Sequence, residues 1–326
     1  MDISRRDFIK KALILGSGAV TVGALGSLAA CDNQEEATLS PSNSQPSPKL
    51  TTLPTPPDKA YLAVGHGQDI DLMVQRTIEA LGGMQRFVKA GNDVIIKPNI
   101  CVAYHTYEYA ATTNPEVVAA LVKLCLATGA SHVRVMDQPF GGTAEQAYEK
   151  SGIAKAVRDA GGEMEIMTDR KFRETVIPDG HDIKKWPVYI DALEADVLIN
   201  VPIAKHHNLG RLTLGMKNLM GLIQDRGQLH FNLGQRLADL TSLLRPQLTV
   251  VDAVRILTNH GPTGGSLDDV KKMDTVIASH DIVAADAYAA TLFGLTGVDI
   301  PAIRAGADMG LGTTDLESIR VEEINI

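Results

Sequence analysis

Short apolar runs recur along the chain with room for one helix between most of them. They occupy 60–64 (AYLAV), 93–99 (DVIIKPN), 132–137 (HVRVMD), 163–167 (EMEIM), 196–202 (DVLINVP), 248–254 (LTVVDAV) and 274–279 (DTVIAS). Runs of this length read as strands, and the segments between them carry helical periodicity. The clearest helix is NPEVVAALVKLCLATGA, with Asn114 as N-cap, Pro115 in the first turn and Gly129 as the stop. Others run from Asp69, Ala144, Asn232 and Asp281. Strand, helix, strand at this spacing predicts an α/β fold: one large domain built on a mostly parallel sheet, with helices on both faces.

In such sheets ligands bind beyond the C-terminal ends of the strands. The predicted strands end in chemically useful residues. Lys97, Pro98 and Asn99 close one, Asp137 closes another, Asn200 to His207 follow a third, and Asp252 sits near the end of a fourth. Polar residues at a strand tip are ordinary where the tip meets water. Lys, Asp, Asn and His at every tip make a more specific set, which converging strands would bring to one rim.

The first thirty residues read as an address rather than as fold. SRRDFIK (4–10) resembles a twin-arginine export motif, a glycine-rich apolar segment follows, and LAAC (28–31) resembles a bacterial lipobox. The expectation is a signal over 1–30, lipidation at Cys31, and a membrane anchor through that lipid on the outer side of the cytoplasmic membrane. Residues 31–58 are rich in Ser, Pro and Thr with almost nothing to bury, which predicts a disordered tether. The α/β domain then spans 59–326. The whole chain carries −8; its leader holds four basic and two acidic residues, so the remainder carries −8 − 2 = −10. That balance gives no sign of nucleic-acid binding, and it makes a local cationic cluster informative.

Such a cluster lies at 201–230, VPIAKHHNLGRLTLGMKNLMGLIQDRGQLH, which holds three histidines, two lysines, two arginines and four glycines. If the backbone is extended at Lys205 and His207, both side chains face the same way. Lys217 and Asn218 add a cation and an amide between glycines that permit close backbone approach. Lys97, Lys205 and Lys217 would favour a carboxylate or phosphate, with Asn99, Asn200 and Asn218 as further substrate contacts. His207 and His230, with Lys205 and Lys217, are the candidates for acid–base catalysis. Alternatively His207, His230, Asp137 and Asp252 form a divalent-metal set. Each has an ordinary structural reading as well: Lys217 paired with a carboxylate, His207 capping a backbone carbonyl.

Several stretches together resemble the domain-of-unknown-function 362 family: IIKPNI (95–100), 112–139, ADVLINVPIAKHH (195–207), LTLGMKNLMGLI (212–223) with His230 after it, VVDAV (250–254), GPTGG (261–265) and 276–294. They cover nearly all of 59–326, with Lys205 and His207 as the matched pair and His206 where a small residue is common. The resemblance implies a fold and a site more than a reaction. Relatives in that family often carry an appended ferredoxin domain, which implies a separate iron–sulfur protein as partner here. The chain has no clustered cysteine spacing, so it offers no iron–sulfur ligands of its own. Cys101 and Cys125 are expected as thiols, with Cys125 buried in a helix, though oxidation after export could pair them.

Lesser candidates are QPFGGT (138–143) as a plain turn, NHGPTGG (259–265) as a loop bordering the site, TDRKFRE (168–174) as a solvated face, and His66 near the rim. Asp286 lies in an apolar helix and needs a partner, so it is placed behind the site as a brace. Three functions remain open: an enzyme acting on a small anionic substrate, with or without a divalent metal; a non-catalytic protein binding an anion or metal; and an accessory partner of an iron–sulfur redox system.

Overall fold

The computed structural model describes Pro56 and residues 58–326. The export motif, Cys31 and nearly all of the tether lie outside the described residues. Strand β1 (Leu62–His66), helix α1 (Ile70–Ala80), β2 (Asp93–Pro98), α2 (Pro115–Ala127) and β3 (His132–Val135) open the domain. Helices α3 (Ala144–Lys150) and α4 (Ile153–Asp159) lead to β4 (Glu163–Met164). A hairpin of β5 (Phe172–Val176) and β6 (Lys185–Tyr189) stands apart from the main sheet and passes through α5 (Ile190–Glu194) into β7 (Val197–Val201). The histidine-rich stretch forms β8 (Ile203–His207), β9 (Arg211–Thr213), α6 (Gly215–Asn218) and α7 (Arg226–Leu229). Helix α8 (Leu233–Leu244), β10 (Leu248–Leu257), β11 (Val270–Ser279), α9 (Ile282–Thr291), α10 (Pro301–Asp308) and β12 (Val321–Asn325) complete the fold.

The main sheet has ten strands, eight of them in the order β12-β1-β11-β10-β7-β2-β3-β4, with β8 pairing to β10 and β9 to β8. Its heart is parallel, from β10 through β7, β2 and β3 to β4. Strand β11 runs antiparallel to both β1 and β10, so the sheet is mixed but mostly parallel, a single α/β domain.

Burial on both faces follows from the strand sequences. Val94 and Ile96 of β2 pack into one apolar cluster with α1, α2 and α4, while Ile95 between them packs into the other, with α8 and α9. Strand β7 repeats the pattern, with Val197 and Ile199 on one side and Leu198 on the other. Helix α2 starts where Asn114 accepts a hydrogen bond from the Glu116 amide and Pro115 takes the first turn, as its sequence predicts.

The strand read at 163–167 shortens to Glu163–Met164, whereas β10 and β11 extend beyond the runs at 248–254 and 274–279. The added ends carry Arg255, Lys271 and Lys272, so apolar length understates these strands. Strand β12, with two glutamates in five residues, pairs along β1 at the sheet edge and has no apolar signature to find. Among the described residues, no helix is long and apolar enough to cross a membrane.

Candidate functional site

Strand β8 is extended, and this decides the neighbouring cations. Lys205 and His207, two residues apart, both line a cavity of about 270 Å³ beyond the tips of β2 and β3. His206 turns the other way, and its Nδ1 accepts from the Gly261 amide at 3.2 Å. Lys97, Asp137, Lys217 and Arg226 complete the charged wall. Four cations therefore face one carboxylate.

The cations are not equivalent. Lys97 is fully buried, and its three protons are spent on Asp137 Oδ1 at 2.7 Å, Pro98 O at 2.8 Å and Asn218 Oδ1 at 2.9 Å. Burial pulls its pKa down to about 8, against the attraction of Asp137. Asp137 also accepts from the Ile100 amide at 2.6 Å and the Gln138 amide at 2.9 Å. Gly221 closes over this pair, and a Cβ there would lie 1.9 Å from Asp137 Oδ1. No side chain fits at that position.

Asn218 uses its whole amide. Its oxygen accepts from Lys97 and from Asn99 Nδ2 at 3.0 Å; its nitrogen donates to Lys97 O at 3.1 Å and Asn200 Oδ1 at 2.9 Å. Asn200 in turn donates to Gly215 O at 3.0 Å, and Asn99 accepts from Lys205 Nζ at 2.8 Å. The amides predicted as substrate contacts thus form a lattice that holds the lysines. Asn99 and Asn218 reach the cavity wall, and Asn200 lies behind it.

Lys205 also donates to Ala111 O at 2.6 Å, and burial lowers its pKa. Lys217 has a weaker environment. Its only hydrogen-bond partner among the described residues is the Met220 sulfur at 3.5 Å, and no carboxylate pairs with it. Burial, then the nearby Lys205, brings its pKa down to about 8. Arg226 donates to Gln138 Oε1 and to Ile223 O, with no carboxylate in ion-pair contact among the described residues. A third feature points the same way: Thr213, on the same wall, has a buried hydroxyl without a partner among the described residues.

His207 accepts at Nδ1 from the Leu209 amide at 3.1 Å and the Gly210 amide at 3.0 Å. It therefore caps backbone donors, not a carbonyl. With Nδ1 as acceptor, the neutral ring carries its proton on Nε2. Burial first, then Lys217 and Lys205, push its pKa down to about 3, so it stays neutral. The His230 ring lies nearly parallel to it, with centroids 6.4 Å apart.

The metal set does not come together. His207 has no lone pair left for a ligand in this loop, Asp137 is held by Lys97, and Asp252 lies off the cavity, accepting from the Asn114 amide at 2.7 Å and the Val254 amide at 3.0 Å. No group of three or more His, Cys, Asp or Glu among the described residues is placed to hold a metal ion. Asp286 is the brace: buried in α9, it accepts from the Gly215 amide at 2.6 Å and the Met216 amide at 2.9 Å, fixing the start of α6. Cys101 and Cys125 are free and buried, and Cys101 borders the cavity beside Pro262 of the glycine-rich loop. His66 lies elsewhere, within 3.1 Å of Thr275 Oγ1. The run at 168–174 is mostly exposed, as expected, with Phe172 turned into the core and Lys171 bridging Glu165 and Asp191.

Arg226, Thr213 and Gln138 were not singled out by the sequence. Arg226 and Thr213 sit within the same thirty-residue stretch as the lysines, and Thr213 stands opposite Lys205 in the β8–β9 register. Gln138 follows Asp137 in a turn that gave no chemical signal.

Fold and cavity together define an α/β protein with a cationic, carboxylate-poor cavity beyond its strand tips. The chain belongs to the family described as Domain of unknown function (DUF362), whose model matches residues 94–291. Every cavity residue named above falls within that span. The chain is similar to the thylakoid-associated protein sll1697 of Synechocystis sp., at 28% identity over 249 residues, covering 74% of this chain and 75% of that one. Among solved structures, the lactate racemase apoprotein from Thermoanaerobacterium thermosaccharolyticum aligns with a TM-score of 0.44 and 11% identity, over 68% of this chain and 54% of that chain.

Proposed function

We propose that this protein is an enzyme that binds a small carboxylate or phosphate and moves a proton on it. The observation that carries the reading is Lys217, a partly buried ammonium with no carboxylate partner among the described residues. A buried charge left unpaired is costly, and an anionic ligand offsets that cost. Lys205 and Arg226 add charge to the same wall, and the orphaned Thr213 hydroxyl adds a hydrogen bond. Lys217, with its pKa near 8, is poised to exchange a proton around neutral pH. The Nε2–H of neutral His207 serves as a fixed donor to a substrate oxygen, and His230 stands beside it. Lys97, Asn99, Asn200 and Asn218 position the others.

The proposal extends to location: export by the twin-arginine route and attachment through lipid on Cys31 to the outer face of the cytoplasmic membrane. What supports this is the pattern at 4–10 and 28–31 and the description of a relative as thylakoid-associated.

The test is a panel of small carboxylates and phosphate esters incubated in heavy water with the protein and with Lys217→Met, followed by NMR. Deuterium incorporation or product formation with the protein, lost in the variant, is the expected result. Ligands that bind in slow exchange yet never react would contradict the enzyme reading and leave a binding protein.

A further inference from the structure

Behind Lys217 and His230 lies a second cavity, also about 270 Å³, and those two residues line both. Its walls are otherwise mostly apolar: Leu212, Leu214 and Met216 on one side, Leu233, Leu237 and Ile303 on the other. Asp286, on the same wall, is engaged with the Gly215 and Met216 amides. Each cavity alone lies just below the roughly 300–1,000 Å³ typical of ligand sites, whereas the two together fall within it. Large apolar side chains on or next to these linings stand in water. Leu209, on the apolar cavity, is 70% exposed, Phe231, next to His230, 84%, and Phe140, on the cationic cavity, 60%. Single exposed apolar residues are common; two on the linings of neighbouring cavities and a third next to His230, which lines both, are more than that.

We infer that the ligand is an anionic amphiphile, with its carboxylate or phosphate head in the cationic cavity and its hydrocarbon part in the apolar one. This rests on the anion reading above and names the substrate class. The division of labour follows from the shared wall. The Lys217 ammonium serves the head, and its methylene stem, with the His230 ring, borders the tail. A small, fully hydrophilic anion fills only one of the two cavities.

The test is calorimetric titration with a homologous series, straight-chain carboxylates from acetate to octanoate and the matching alkyl phosphates, alongside inorganic phosphate. Affinity should rise about fourfold per methylene, which corresponds to ~0.8 kcal/mol, and then level off when the cavity is full. In Leu233→Trp, which narrows the apolar cavity, the levelling should come at a shorter chain. Inorganic phosphate reports separately on the cationic cavity. If it binds while affinity ignores chain length, the amphiphile inference fails and the anion reading stands. If neither inorganic phosphate nor any chain binds, both fail. Within the inference, loading from oleate-containing vesicles assigns the ligand to the bilayer, and loading from solution alone assigns it to the aqueous pool.

Discussion

At the scale of single residues, the cavity separates cations that are satisfied from cations that are not. Lys97 is surrounded by acceptors and is held by the structure; Lys217 meets only a thioether among the described residues, which is why we assign it to the ligand. Lys97 was visible in the sequence as a cation at a strand tip and Lys217 as one between glycines, but nothing in a sequence distinguishes a paired lysine from an unpaired one. The i, i+2 spacing of Lys205 and His207 was more legible, because an extended backbone settles which way the two point. The role of His207 was less so. Its two backbone donors come from a turn whose path depends on Gly210 and β9, and they occupy Nδ1, leaving the proton of the neutral ring on Nε2. The expected signature is an Nε2–H tautomer in nitrogen-15 NMR, with no titration until the pH approaches about 3. Titration of the His207 ring near neutral pH would contradict the assignment.

At the scale of elements, the four-residue helix α6 carries Lys217 and Asn218 and is too short to hold itself. Asp286 of α9 holds it, with both carboxylate oxygens on its first amides. A lone Asp in an apolar helix was readable as a brace, since an unpartnered carboxylate there would be prohibitive; which segment it braces needed the fold. Burial raises its pKa to about 7. The sign follows: the folded form favours the proton, so this group's contribution to stability is full below 3.8 and is lost as pH rises through about 7. Asp286→Asn keeps one acceptor and sets an amide N–H against a backbone N–H. It should lower stability by about 1–3 kcal/mol and flatten that part of the pH profile, as read by denaturant unfolding across the same pH range. An unchanged midpoint would remove Asp286 from the brace role. The hairpin β5–β6, β9 and β12 escaped the sequence for the opposite reason: charged residues such as Arg173, Glu174 and Glu322 interrupt their apolar pattern.

At the scale of the molecule, the mostly parallel sheet explains why residues far apart in the chain meet. Lys97 and Asn200 are neighbours across β2 and β7, and β8 brings Lys205 alongside β10. The rule that ligands collect beyond parallel strand tips found the rim; it included Asp252, which the fold instead uses to hold the Asn114 amide and so the start of α2. The central claim is that the rim's cationic cavity is built for an anion and that Lys217 is its unpaired charge. Titration with sulfate, whose charge is constant over the range, tests it most directly, by calorimetry on both sides of pH 8 and in buffers of different ionisation enthalpy. Below about 8 Lys217 is charged; above it the charge is lost, so affinity should fall as pH rises through that value, with protons taken up on binding near it. Lys217→Met should weaken binding roughly 10- to 150-fold, the ~1.5–3 kcal/mol of a hydrogen bond to a charged group, and reduce the proton uptake to what Lys97, which also sits near 8, contributes. Binding that is indifferent to pH and to Lys217→Met would contradict the account.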